Sequence, residues 1–170
     1  KDAFHIKIRN LQPEGSLTRF DESYLIRLFR NKAEYRYEGR IHEQISPSIH
    51  ANQGQVGMSK AMIVHYGYVN DKVQGNQSRK KRNLDLLKKE LNVNPTDFYY
   101  LFHMGLALKV IDTDQSKRYF ESALKYGKDE MPDSIEEQIH MRLAQLALEE
   151  YDNGRTILHA QKSLAINPMN

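Results

Sequence analysis

Residues 94–127 read NPTDFYYLFHMGLALKVIDTDQSKRYFESALKYG, and the spacing of their apolar side chains decides the fold. Phe98, Leu101, Phe102, Gly105 and Leu108 recur at three- and four-residue steps, the period of one face of an α-helix. Thr96 stands where a side-chain oxygen caps such a helix. Asp114 opens a second helix that turns Phe120, Ala123 and Leu124 inward and stops at Gly127, where glycine commonly ends a helix. Asn94-Pro95 closes the helix before this pair, because proline cannot continue one.

Toward the C-terminus the pattern returns. Ser134 and Glu137 have the spacing of a capping box, followed by a stripe of Ile135, Ile139, Leu143, Leu146 and Ala147. A final helix from about Gly154 to Ile166 ends at Asn167-Pro168. On the N-terminal side, Leu84, Leu87 and Leu91 mark a leading helix. Small residues fall where paired helices should touch, Gly105 against Ala123 and Ala144 against Ser163. The second pair is 19 residues apart, the offset expected within a repeat of about 34 residues. In these features the segment resembles tetratricopeptide repeats. Leu101, Leu108, Phe120 and Pro168 fit that pattern. Thr156 and Ser163 replace its usual alanines, the first pair is one residue short, and Tyr126 to Asp133 lengthens a joint.

Before the helices the period changes to two. Phe4, Ile6 and Ile8 alternate with His5, Lys7 and Arg9, as in a half-buried strand. Pro13-Glu14-Gly15-Ser16 predicts a turn. Tyr24–Arg30 and Glu34–Arg40 are expected as strands joined tightly at Asn31-Lys32, Ser46–Ser59 as a loop, and Lys60–Tyr66 as a last strand. The strands look too few and too charged for an independent sheet, so this half reads as the tail of a larger domain. Gln74 to Ser78 forms a polar link, placing the division between residues 1–76 and 77–170.

The charged half also carries the groups suited to chemistry. Arg27–Gln44, RLFRNKAEYRYEGRIHEQ, crowds Arg27, Arg30, Arg36, Arg40, His42 and Glu43 together, and IVHYGY adds His65. Burying such charges costs several kcal/mol each unless they are paired. A carboxylate beside an imidazole supplies a base, a metal ligand or a hydroxyl acceptor. Arg27 and Arg30 suit planar contacts to phosphate or carboxylate, or serve as edge charges that discourage aggregation. His65 is either an edge histidine or an imidazole ligand to a divalent ion. Arg79-Lys80-Lys81-Arg82 reads as a solvated helix start or a pyrophosphate clamp. The chain is expected to offer no glycine-rich phosphate loop, no G-x-S-x-G elbow and no D-x-D carboxylate pair for a nucleotide-bound metal.

Composition bounds the rest. With 25 basic and 22 acidic residues the net charge is +3, too slight to indicate a nucleic-acid partner. The absence of cysteine excludes disulfides and thiolate sites and fits a reducing, cytoplasmic setting. No apolar run is long enough for a transmembrane helix.

The order RLFRN, Y-x-G-x-IHE, I-x-HYGY, then R-x-x-RN leading into LLKKEL-x-x-NP, resembles the C-terminal part of family-two glycosyltransferases carrying tetratricopeptide repeats. It is similar to the bacterial peptide S-glycosyltransferases. The resemblance implies an α+β chain, a β-rich C-terminal piece of a GT-A-like domain followed by a helical hairpin array. It implies an inverting transfer from a nucleotide-diphosphate sugar donor with a Mg or Mn ion. By that analogy Glu43 is the base, with His42 beside it at the acceptor and reacting phosphate. His65 is the metal-side ligand, and Arg27, Arg30 and Arg40 are donor contacts. The D-x-D-bearing half would precede Lys1, so this chain alone is expected to be catalytically silent. The rival expectation is a non-catalytic module whose repeats bind a protein or peptide.

Overall fold

The computed structural model describes residues 1–11, 20–66 and 73–168, with residues 73–76 as backbone only. The chain divides into two compact units, Lys1–Arg79 and Lys80–Asn170. The expected turn at Pro13–Ser16, and Gly67 and Tyr68 of the HYGY run, lie outside the described residues.

In the first unit, β1 (Ala3–Leu11) is the central strand of a three-stranded sheet, ordered β2-β1-β3. β2 (Phe20–Phe29) runs antiparallel to it, with Leu11 opposite Phe20 and Ala3 opposite Phe29. β3 (Val56–His65) runs parallel, with Ala3 opposite Val56 and Asn10 opposite His65. The alternation at Phe4 to Arg9 did mark a strand, and three strands do pair despite their charge. Polar ties across the sheet carry that charge: Glu22 accepts from Lys7 at 3.0 Å and from Arg9 at 2.7 Å.

Two expectations fail between β2 and β3. Glu34–Arg40 is not a strand, and Ser46–Ser59 is not a loop throughout. Residues Ser46–Ala51 form a short helix, α1, with Pro47 in its first turn, where proline is tolerated. Ser48 of α1 then takes the place of a strand partner for Arg36. Its Oγ accepts from the Arg36 N–H at 3.0 Å and donates to the Arg36 carbonyl at 2.7 Å. With its main chain so satisfied, the segment keeps only one isolated bridge, Glu38 to Gln44. Tyr35, Ile45 and Ile49 pack with Ala3 and Ile26 as a small core. Gly54 is needed beneath it, since a Cβ there would stand 2.6 Å from the Tyr35 hydroxyl oxygen and 2.9 Å from the Ile49 carbonyl oxygen.

The helical unit holds most of α2 (Val73–Val93), then α3 (Phe98–Leu108), α4 (Thr113–Tyr126), α5 (Asp133–Glu149) and α6 (Asn153–Ile166). Residues 74–78, expected as a polar link, belong to the start of α2. α3 pairs with α4 and α5 with α6, as consecutive hairpins. Asn94-Pro95 and Asn167-Pro168 follow the ends of α2 and α6. One core joins Leu101, Phe102, Phe120, Ala123, Ile139, Leu143 and Leu146, with Leu91 packed against it. Each of these comes from a predicted stripe. Gly105 admits Phe120, one turn before the expected Ala123: a Cβ there would lie 2.7 Å from the Phe120 ring. The Ser116 hydroxyl donates to the Gly105 carbonyl at 2.7 Å and locks the same crossing.

The caps differ from the expectations by one or two positions. Asp97, Asp112 and Asp152 cap α3, α4 and α6, each carboxylate accepting backbone N–H groups of the first turn. Thr96 instead donates to Asn94. α5 starts at Asp133 behind Pro132, with no side-chain cap, and Glu137 accepts from Ser163 of α6 at 3.2 Å rather than closing a box with Ser134. Gly127 ends α4 at φ −90°, so its glycine answers crowding, not a left-handed turn. A Cβ there would stand 2.5 Å from Met131 and 2.8 Å from Phe98. Among the described residues no helix is long and apolar enough to cross a membrane.

Candidate functional site

The predicted transferase residues sit on separate parts of the first unit. His42 and Glu43 lie in the loop spanned by the Glu38–Gln44 bridge, not directly after a strand. Both are exposed. His42 has φ 54°, the left-handed region, which a non-glycine residue adopts at a cost. The Gln44 side-chain amide donates to its carbonyl at 3.1 Å. Partial desolvation of the ring lowers the His42 pKa below the ordinary imidazole value, against an opposing pull from Glu43. The imidazole is therefore favoured in its neutral form. Arg40 is exposed on the same loop, after Gly39 at φ 94°. Arg27 projects from β2 and is exposed; Arg30 follows β2, its main-chain N–H donating to the Asp2 carbonyl.

His65 closes β3, with Nδ1 2.9 Å from the Asn10 side-chain oxygen. The His42 loop is anchored through Tyr35 and Ile45 to the core at Ala3, whereas His65 is registered on Asn10. Arg40, His42 and Glu43 thus share one loop, and His65 stands at the end of β3. Among the described residues no three His, Asp or Glu side chains are placed to hold a metal ion. The resemblance assigns only His65 of the ion's ligands to this chain, and no step is derived through the ion. The chain's D-x-D triplet, Asp112-Thr113-Asp114, lies in the helical unit and starts α4. There Asp112 accepts from Gln115, and that hydrogen bonding lowers its pKa.

A second constellation links the two hairpins. Lys109, at the end of α3, donates to the Gln145 side chain of α5 at 3.2 Å. Arg142, one turn earlier on α5, donates to the same oxygen at 3.0 Å. Gln138, Met141, Arg142 and Gln145 form one stripe of α5 by their spacing, and all are partly exposed. His103 of α3 is seated between Tyr99, 4.5 Å between ring centres, and Phe102, 5.1 Å. The Arg142 Nε–H is buried and has no acceptor among the described residues. A buried donor left so costs free energy. Sequence reading missed this group because Lys109 and Gln145 are 36 residues apart. Its only local trace is the three-residue spacing of Arg142 and Gln145. An ion pair of Lys117 with Glu150 also joins α4 to the end of α5.

Comparison with known proteins adds one finding. No family model matches the chain. A TPR repeat-containing protein of Synechococcus elongatus is 29% identical over 142 residues, covering 78% of this chain and 34% of that protein. The chain therefore spans about a third of the length of this curated relative. The relative's name supports the tetratricopeptide part of the resemblance and a helical-repeat class for the second unit. The aligned share exceeds the helical unit, so the likeness extends into the first unit as well. The glycosyltransferase part gains no support from it.

Proposed function

We propose that the helical unit is a protein-interaction module that holds an extended polypeptide segment along the α3–α5 side. The observation that carries this reading is the partly exposed Lys109–Gln145–Arg142 bridge between successive hairpins. Main-chain groups of a bound segment would meet the partly exposed Lys109, Arg142 and Gln145 side chains. The partly exposed Met141 and His103 supply apolar and ring surface beside them. Repeat solenoids bind along continuous faces built from neighbouring repeats, and the relative's tetratricopeptide name points the same way.

The test is selection of peptides from a displayed random library against the whole chain. Enriched peptides should lose at least about tenfold in affinity on Arg142→Met, roughly 1.4 kcal/mol, with Lys125→Ala as an unaffected exposed control. No enrichment, or equal loss in both variants, would overturn the proposal. Sugar transfer by a longer protein containing the first unit is the second reading. It rests on the resemblance carried by the RLFRN, Y-x-G-x-IHE and I-x-HYGY runs of the first unit. Its test is Glu43→Gln in that protein, with loss of transfer and retained donor binding expected.

A further inference from the structure

Neither the candidate site nor the binding face uses the two histidines that meet between α5 and α6. His140 is 4% exposed, and His159 is half-buried opposite it. Their Nδ1 atoms are 3.0 Å apart and the rings lie 5.2 Å centre to centre, tilted by 31°. A contact of that length between two imidazole nitrogens needs one hydrogen between them: one ring donates, the other accepts. Only the neutral pair, or a pair sharing one charge, can make it. When both rings are protonated, both Nδ1 atoms carry hydrogen, the bond is lost, and two cations face each other inside a helix crossing.

The surrounding charges do not favour that doubly charged state. From α5, Glu136 lies 3.8 Å from His140 Nε2, the one nearby carboxylate of that helix the ring contacts. From α6, Lys162 faces both rings and Arg155 faces His159. From α4, Glu121 partly offsets them at His159. Leu124, Lys128 and Met131 line the hollow beside His140 with Glu136 and Lys162, adding one more cation and apolar surface. Desolvation, then His159, then Lys162, holds His140 down to about 4; desolvation is also the first cause at His159, which is lowered too.

We propose that the His140–His159 contact is a pH-responsive latch, which holds α6 against α5 while both rings are neutral and releases α6 when both are protonated. α6 is suited to such release. It is the last described helix, with exposed Ile157, Leu158 and Leu164, and Ser163 is its one buried residue. The core residues of α3, α4 and α5 do not include any from α6, so these helices can stay packed.

The test is nuclear magnetic resonance of the whole 170-residue chain, following histidine ring and α6 amide signals from pH 7.5 to pH 4. α6 amides should lose hydrogen-exchange protection, relative to the intrinsic rate, as the two rings protonate, while α3 and α4 keep theirs. His159→Phe, permanently neutral, should remove most of that change, and His159→Lys, permanently charged, should show the released state already at pH 7.5. An α6 response of the same size in wild type and His159→Phe would overturn the latch. So would protonation of both rings with α6 still protected, or loss of α3 and α4 protection together with α6. The wild-type titration decides the matter even if a variant fails to fold.

Discussion

The two units are held together by different means. In the helical unit, seven buried apolar residues drawn from α3, α4 and α5 form one core, and polar groups serve at caps and crossings. In the first unit the main apolar cluster among the described residues is five residues, and much of the order depends on hydrogen bonds through Ser48, Asp2 and Glu22. Apolar burial is non-directional and survives small changes of sequence or pH. Hydrogen-bonded order depends on single partners, and each lost partner leaves an unsatisfied group. The helical unit should therefore answer most to changes of volume, and the first unit to changes of polarity.

Phe120→Ala breaks the comparison most sharply. Phe120 is fully buried against Gly105 and in the common core, so the cavity should cost about 3–5 kcal/mol. Thermal unfolding of the helical unit should move down while signals of the β1–β3 sheet are unchanged. Acid should give the next largest effect. His140 is held down to about 4 in the folded chain, against 6.5 as its ordinary value. Its contribution is then fully present above pH 6.5 and is lost as pH falls toward 4, up to about 3 kcal/mol. Urea unfolding at pH 7.5 and pH 5 reads this, and His140→Gln should flatten the difference.

Ser48→Ala should cost about 1–3 kcal/mol by stranding the Arg36 main chain, with the loss confined to residues 34–56. Equal loosening of α3 to α6 would contradict the division into units. The smallest effect belongs to Asp2→Asn. Lys32 first, and the Gln55 N–H second, hold the Asp2 carboxyl down at about 2. Its stabilisation is present above pH 3.8 and is lost as pH falls toward 2. The variant should remove that acid dependence in the sheet signals, by bringing neutral-pH stability down slightly, toward the value the wild type reaches near pH 2.

The same contrast explains what the sequence could reveal. A helix stripe is written locally, so Leu101, Phe120, Leu143 and Leu146 were legible as core from spacing alone. The caps slipped by a residue or two because aspartates next to Thr96 and before Asp114 offer better acceptors. Tyr35 and Arg36 read as strand, yet Ser48, 12 residues on, captured the Arg36 main chain instead. His42 and Glu43 were adjacent in sequence and remain so in space. Their association with His65 comes from the resemblance and not from any local spacing. The bridge from Lys109 to Gln145 and the His140–His159 contact have no local signature, since each depends on which helices become neighbours.

The most direct test of the account is unfolding of residues 73–170 expressed alone, followed by circular dichroism against urea. A self-contained core predicts a helical spectrum and a single cooperative transition close to that of the helical unit within the whole chain. A disordered spectrum, or a gradual loss of helix without a transition, would contradict it.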